Sequence, residues 1–129
     1  MVKQLSVFLE NSPGRLANLI EALDKNRIKT LALGIAEAGN YGIVRMIVDN
    51  DEKALEVMHS ENMAVNQSEV LIIDLASMGE AVRALGKRSI NIDYAYSMEK
   101  GRLVIKVNKE DEAVKALHDA GLANHTKTQ

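Results

Sequence analysis

Residues 10–23 read ENSPGRLANLIEAL, and the chemistry available there is recognition of an anion, above all a carboxylate. Asn11 and Ser12 supply short hydrogen-bonding side chains, Pro13 and Gly14 shape the backbone, and Arg15 supplies a guanidinium. The chain's single proline has a fixed φ that suits the first helical position, where its missing N–H costs nothing. The spacing therefore predicts Ser12 at the N-cap and Pro13 as the first helical residue. The first N–H groups of such a helix have no partner within it, and the macrodipole adds about half a positive charge there, so a carboxylate is drawn to that point. Gly14 lets a ligand approach the backbone closely, and a valine there is expected to leave the first helical turn intact. Taken alone, the segment is better read as a plain helix start than as a binding site.

Other chemistry is sparse. Tyr94 and Tyr96 occupy alternating positions of a later segment and are candidates to line a pocket, with half-buried packing as the other reading; Tyr41 is in the same position. His59, His118 and His125 are scattered over helix ends and the tail with no second ligand type at metal spacing, so they read as solvated surface groups and no metal site is expected. Neither a nucleophile motif nor a glycine-rich phosphate pattern occurs, so no catalytic residue and no cofactor is expected. The absence of cysteine excludes disulfide and thiolate chemistry. A formal charge of -2 over 129 residues is too small for a nucleic-acid surface. No apolar run approaches the roughly 20 residues that span a bilayer, and the N-terminus lacks the apolar core of a signal peptide. A soluble, cytoplasmic protein without nucleic-acid or membrane partners is the expectation.

The elements that must position these groups alternate strand and helix. Leu5, Val7 and Leu9 alternate as a strand, and Leu16, Leu19, Ile20 and Leu23 follow the i, i+3, i+4, i+7 pattern of a helix with one buried face. Leu31, Leu33 and Ile35 form a strand, EAGNYG at 37–42 marks a hairpin, and residues 43–48 return. Asp49, three residues before Glu52, has a capping-box signature ahead of a helix that places Ala54, Leu55 and Met58 on one face. A weaker strand at 63–65 completes β-α-β-β-α-β, the ferredoxin-like order.

That order then repeats. Residues 70–75 read as a strand, Met78, Ala81, Val82 and Leu85 as a helical stripe, and Ile90, Ile92, Tyr94 and Tyr96 as a strand. Gly101 marks a hairpin, Leu103, Ile105 and Val107 return, and Ala113, Val114 and Leu117 line a helix. MHSENMA at 58–64 lies beside LHDAGLA at 117–123, with His59 matching His118, so the chain contains an internal repeat. The expected fold is α+β: two tandem ferredoxin-like βαββαβ units with antiparallel sheets and helices on one face. The units are expected at residues 1–68 and 69–129, the second lacking the NSPG loop and ending in a weak last strand.

The motif NSPGRLANLIEAL, the strand YGIVRMIVDN (41–50) and the strand INIDYAYS (90–97) resemble the ACT-domain family, specifically its small stand-alone tandem ACT proteins, over nearly the whole chain. The resemblance implies binding of a free amino acid or similar small metabolite against the loop between first strand and first helix, near an interface between units. It implies regulation, not catalysis. The ligand-binding candidates are Asn11, Ser12, Pro13, Gly14, Arg15 and Leu16, with Tyr94 and Tyr96.

The second unit departs from the first. LASMGEAV at 75–82 is several residues short between strand and helix, and Ser77 with Glu80 forms an S-x-x-E signature expected to satisfy the helix N–H groups from within. One loop-based site per chain follows. Rival functions on this fold lack their residues: an RNA-recognition domain needs a pair of aromatics on its central strands, where Ile43, Val44, Arg45 and Met46 stand here. The competing reading is a ligand-independent protein-interaction module acting through its sheet surface. Because Val44, Met46 and Val48 oppose Ile43 and Ile47 across the strand, both faces are apolar and self-association as a homodimer is expected under either reading. A metabolic enzyme regulated in trans is the further candidate partner.

Overall fold

Period-two apolar patterning sets the strands and period-3.6 patterning the helices. The computed structural model describes residues 1–127. In chain order the elements are β1 (Val2–Glu10), α1 (Arg15–Lys25), β2 (Thr30–Ala38), β3 (Tyr41–Val48), α2 (Asp51–Ser60) and β4 (Ala64–Asp74). A 3-10 turn (Leu75–Ser77), α3 (Met78–Lys87), β5 (Ile92–Met98), β6 (Arg102–Val107) and α4 (Glu110–Asp119) follow. The fold is α+β, two tandem ferredoxin-like units. By contacts the chain divides into Lys3–Ser68 and Glu69–Gln129, the latter with Met1–Val2, so the division falls inside β4.

In the unit Lys3–Ser68, β3 is central and antiparallel to both neighbours. Leu5 faces Met46 and Val7 faces Val44 across β1–β3, while Leu33 faces Met46 and Ile35 faces Val44 across β2–β3. Leu5, Val7, Val44, Met46 and Val48 then pack with Leu19 and Leu23 of α1 and Ala54 and Met58 of α2. Each fully buried Leu or Met contributes about 1.5–3 kcal/mol of hydrophobic stabilisation. In the other unit β6 takes the central place, with Leu71 opposite Ile105 and Tyr96 opposite Val104. There Leu71, Ile73, Leu103 and Ile105 pack with Ala81 and Leu85 of α3 and Leu117 of α4. The repeat extends to the strand ends: Lys29 N–H donates to Asp49 Oδ1 at 2.9 Å, as Asn91 N–H donates to Asn108 Oδ1 at 3.0 Å.

Five sequence expectations change. The strands expected at 63–65 and 70–75 are one strand, β4, because the polar residues 66–68 include neither glycine nor proline and the backbone stays extended through them. Asn50, not Asp49, caps α2: its side chain accepts from Lys53 N–H at 3.1 Å, while Asp49 is engaged by Lys29. Leu16 at 37 %, Met78 at 45 % and Val82 at 47 % are exposed, because the buried stripe of each helix is narrower than the apolar pattern. After α4 no strand forms among the described residues; instead His125 N–H donates to Ile72 O at 2.8 Å, and Asn124 Oδ1 accepts from Ile72 N–H. His125 is accordingly not a solvated surface group: its Nε2 lies 2.9 Å from Asp74 Oδ1 and its side chain is largely covered. His59 and His118 are exposed.

Ile47, Ile72 and Val104, which alternate with the residues packed against the helices, are buried as well.

Candidate functional site

Pro13 and Gly14 do not begin the helix. Gly14 adopts φ 87° and ψ -13° and stands at the N-cap, and Arg15 N–H donates to Ser12 O at 3.4 Å. Proline followed by a left-handed glycine across such a bond is a type II turn, and in that role Pro13 pre-sets φ at the second position while Gly14 supplies the positive φ at the third. Ser12 does not cap, since no side chain bonds to the α1 entrance. The first intrahelical bond of the backbone runs from Asn18 N–H to Gly14 O, which leaves the N–H groups of Leu16 and Ala17 without a partner inside the helix. The valine expected to be tolerated at position 14 is excluded by conformation: a Cβ there would meet no heavy atom within 4 Å, but φ +87° is strained for any side chain and most of all for a branched one.

Register brings a second segment to this turn. Leu9 pairs with Gly42 and Glu10 with Tyr41, and Asn11 N–H donates to Asn40 O at 2.9 Å, so the β2–β3 hairpin stands beside the loop after β1. Between them lies a hollow of about 200 Å³ lined by Leu9, Glu10, Asn11, Ser12, Arg15, Leu16, Ile35, Gly42 and Val44. An adjoining hollow of about 240 Å³ shares Asn11, Ile35 and Gly42 and adds Ala36, Glu37 and Tyr41. Arg15 reaches the first hollow with its Nε buried and without a hydrogen-bond partner. A buried guanidinium N–H left unpaired costs free energy, which an incoming carboxylate oxygen would recover.

Arg15 also borders a larger groove of about 370 Å³ with Asn18, Glu21, Lys25, Asn26, Glu61 and Met63. Both hollows set cations against carboxylates, Arg15 and Lys25 against Glu21 and Glu61 in the groove and Arg15 against Glu10 in the smaller hollow; what distinguishes the smaller one is that it adjoins the uncapped α1 entrance.

The structure thus gathers Asn11, Ser12, Arg15 and Leu16 around one hollow, with Pro13 and Gly14 forming the turn that shapes it. Tyr94 and Tyr96 stand on β5 in the other unit, where their rings stack with centroids 6.5 Å apart. The lining residues that sequence reasoning did not name are Leu9, Glu10, Ile35, Ala36, Glu37, Gly42 and Val44, while Tyr41, a sequence candidate to line a pocket, stands among them. The cluster EAGNYG was legible as a turn, and its pairing with the β1 end was the missing step.

The α3 entrance is built otherwise. Ser77 is at the N-cap with no side-chain bond, so the expected capping box does not form. Instead β4 runs directly into the 3-10 turn, Met78 N–H donates to Leu75 O, and Leu75 N–H donates to Gly101 O at 2.9 Å. Arg102 and His125 approach Asp74 at 4.0 and 2.9 Å. The carboxylates whose pKa is shifted lie elsewhere: a hydrogen bond from Lys106 holds Glu110 low, and one from Arg88 holds Asp119 low. These are ion pairs of the kind that brace a surface. Among the described residues no three metal-ligating side chains come together, and no helix is long and apolar enough to cross a membrane.

A protein-family model described as the ACT domain pair matches residues 1–125. Among solved structures, protein BT0572 from Bacteroides thetaiotaomicron is similar at 31 % identity and a TM-score of 0.89, covering 96 % of this chain and 91 % of that one. The ligand-free regulatory subunit of aspartate kinase from Thermus thermophilus is similar at 18 % identity and a TM-score of 0.66, over 92 % of this chain and 91 % of that one. The corresponding subunit from Thermus flavus gives 18 % and 0.64 over the same shares. Among curated proteins no match is found.

Proposed function

We propose that this chain, which belongs to the family of ACT domain pairs, is a non-catalytic regulatory protein that binds a free amino acid or similar small carboxylate at the loop between β1 and α1. The observation that carries the reading is the buried, unpartnered Nε of Arg15 beside the uncapped α1 entrance and a hollow of about 200 Å³. Drug-sized ligands occupy about 300–1,000 Å³, so a hollow of this size suits a metabolite of few heavy atoms. The carboxylate takes the N–H groups of the first turn and the guanidinium together, where the helix dipole adds to the charge. The regulatory part of the reading is supported by the fold shared with regulatory subunits of aspartate kinase.

Such a protein acts through another protein or through its own dimer. Exposed Leu75, Met78 and Val82 supply apolar surface for either, and light scattering with and without ligand separates the two. The rival reading is an interaction module that works through its sheet face with no ligand.

A thermal-shift screen against the twenty amino acids tests the proposal. A ligand at 100 times its Kd stabilises the folded chain by about 2.7 kcal/mol, a shift of several degrees for a chain of this size. Silence from every amino acid would overturn the reading and favour the interaction module.

A further inference from the structure

We infer that the amino acid taken at this site carries an uncharged, apolar side chain; the inference rests on the binding site proposed above and names the class of its ligand. Three kinds of group surround the two adjoining hollows, and each suits one part of an α-amino acid. Arg15 and the open first turn of α1 take the carboxylate. Glu10 and Glu37, one bordering each hollow, have side chains with no hydrogen bond or ion pair among the described residues, and either supplies a counter-charge for the α-ammonium. Apart from the polar groups of Asn11, Ser12 and Tyr41, what is left for the side chain is apolar: Leu9, Leu16, Ile35 and Val44.

Exposure points the same way. Ile35 is 58 % exposed and Leu16 37 % exposed, although both lie in apolar patterns that bury their neighbours Leu31 and Leu19. Apolar area left open at the wall of a hollow gains most by being covered with more apolar area. An aspartate side chain would face Glu10 and Glu37 as like charges, and a lysine or threonine side chain would have to leave Leu16, Ile35 and Val44 to reach Glu10, Glu37, Ser12 or Tyr41. The apolar walls therefore favour apolar side chains over polar ones.

Calorimetry on the full chain with glycine, alanine, valine, leucine, isoleucine, methionine, phenylalanine, threonine, aspartate and lysine tests this. The expected result is that at least one of the larger apolar amino acids binds tenfold or more tighter than alanine, threonine, aspartate and lysine, since each methylene in an apolar pocket is worth about tenfold or more. Ile35→Ser should then reduce the preference for that ligand over alanine by about tenfold, with circular dichroism unchanged because the side chain is mostly solvated. Tightest binding by lysine, aspartate or threonine would overturn the inference while leaving the amino-acid site standing. A preference untouched by Ile35→Ser would overturn it as well, by moving the side-chain pocket elsewhere. No binding by any of them would overturn both.

Discussion

The two helices α1 and α3 follow the first strand of their repeats and begin by different routes. Neither is capped by a side chain, so capping chemistry does not separate them. The backbone does. Before α1 the chain swings out through residues 11–14, and the type II turn at Pro13–Gly14 leaves a hollow between loop and hairpin. Before α3 the chain passes through Leu75–Ser77 as a 3-10 turn, whose i→i+3 bonds use the groups that a loop would have left open. The hollow is the product of a few extra residues and one left-handed glycine on a repeated scaffold. The scaffold itself is unchanged, as the matching bonds of Asp49 and Asn108 show.

The largest effect that sharpens this contrast lies in the helices themselves. Leu19 and Leu85 are fully buried, and Leu19→Ala or Leu85→Ala should each cost about 2–5 kcal/mol in a urea titration through lost transfer energy and the cavity left behind. Leu16→Ala and Val82→Ala, at exposed positions of the same helices, should stay within about 0.5 kcal/mol. A loss at Leu16 as large as that at Leu19 would return Leu16 to the core and remove a wall of the hollow.

Next in size is the charge at each entrance. Arg15→Ala should weaken amino-acid binding by about 1.5–3 kcal/mol, the range of a charge-assisted hydrogen bond, and leave the unliganded melting temperature nearly unchanged. Glu80 sits in the first turn of α3 and is exposed, so Glu80→Ala should leave affinity unaltered. Equal losses from both, measured by calorimetry, would mean that the α3 entrance also binds.

The fold was open to reading because strands and helices here obey their periods and because the repeat doubles every signal. Leu5, Val7 and Leu9 face inward as their alternation requires, and Ala54 with Met58 as theirs does. The site was less open. Residue types at 11–16 indicate anion chemistry, but periodicity ranks Ile35 with Leu31 and Leu33 and cannot tell that the strand outruns its helix cover at that point. Pairing of Glu10 with Tyr41 depends on register across 31 residues of chain, which local pattern does not encode. Capping expectations failed three times, at Ser12, at Asp49 and at Ser77–Glu80: Gly14 takes the N-cap of α1 and Asn50 that of α2, and Ser77 stands at φ -98° and ψ 9°, whereas the working cap Asn50 stands at φ -132° and ψ 94°, in the extended region a cap requires.

A glycine pair gives the third test. Gly14→Ala should destabilise by about 1–2 kcal/mol, the cost of a Cβ in left-handed backbone. Gly86, inside α3 with negative φ and open space where a Cβ would go, should respond oppositely: Gly86→Ala is expected to stabilise by about 0.5–1 kcal/mol. If Gly14→Ala were as harmless as Gly86→Ala, the turn would not need its glycine, and the α1 entrance would revert to an ordinary helix start.

The smallest effect decides the capping question directly. Asn50 accepts a hydrogen bond from Lys53 N–H, so Asn50→Ala should cost about 1 kcal/mol by leaving a helix donor without its protein partner. Ser77 makes no such bond, and the N–H of Met78 is already held by Leu75 O, so Ser77→Ala should change stability by less than about 0.5 kcal/mol. Chemical denaturation of the two variants side by side resolves a difference of that size. If Ser77→Ala cost as much as Asn50→Ala, the hydroxyl would be capping in solution, and the two helix entrances would differ by side-chain chemistry after all. A near-zero result leaves the 3-10 turn as the device that closes the second entrance, and makes loop length the variable that opens the first.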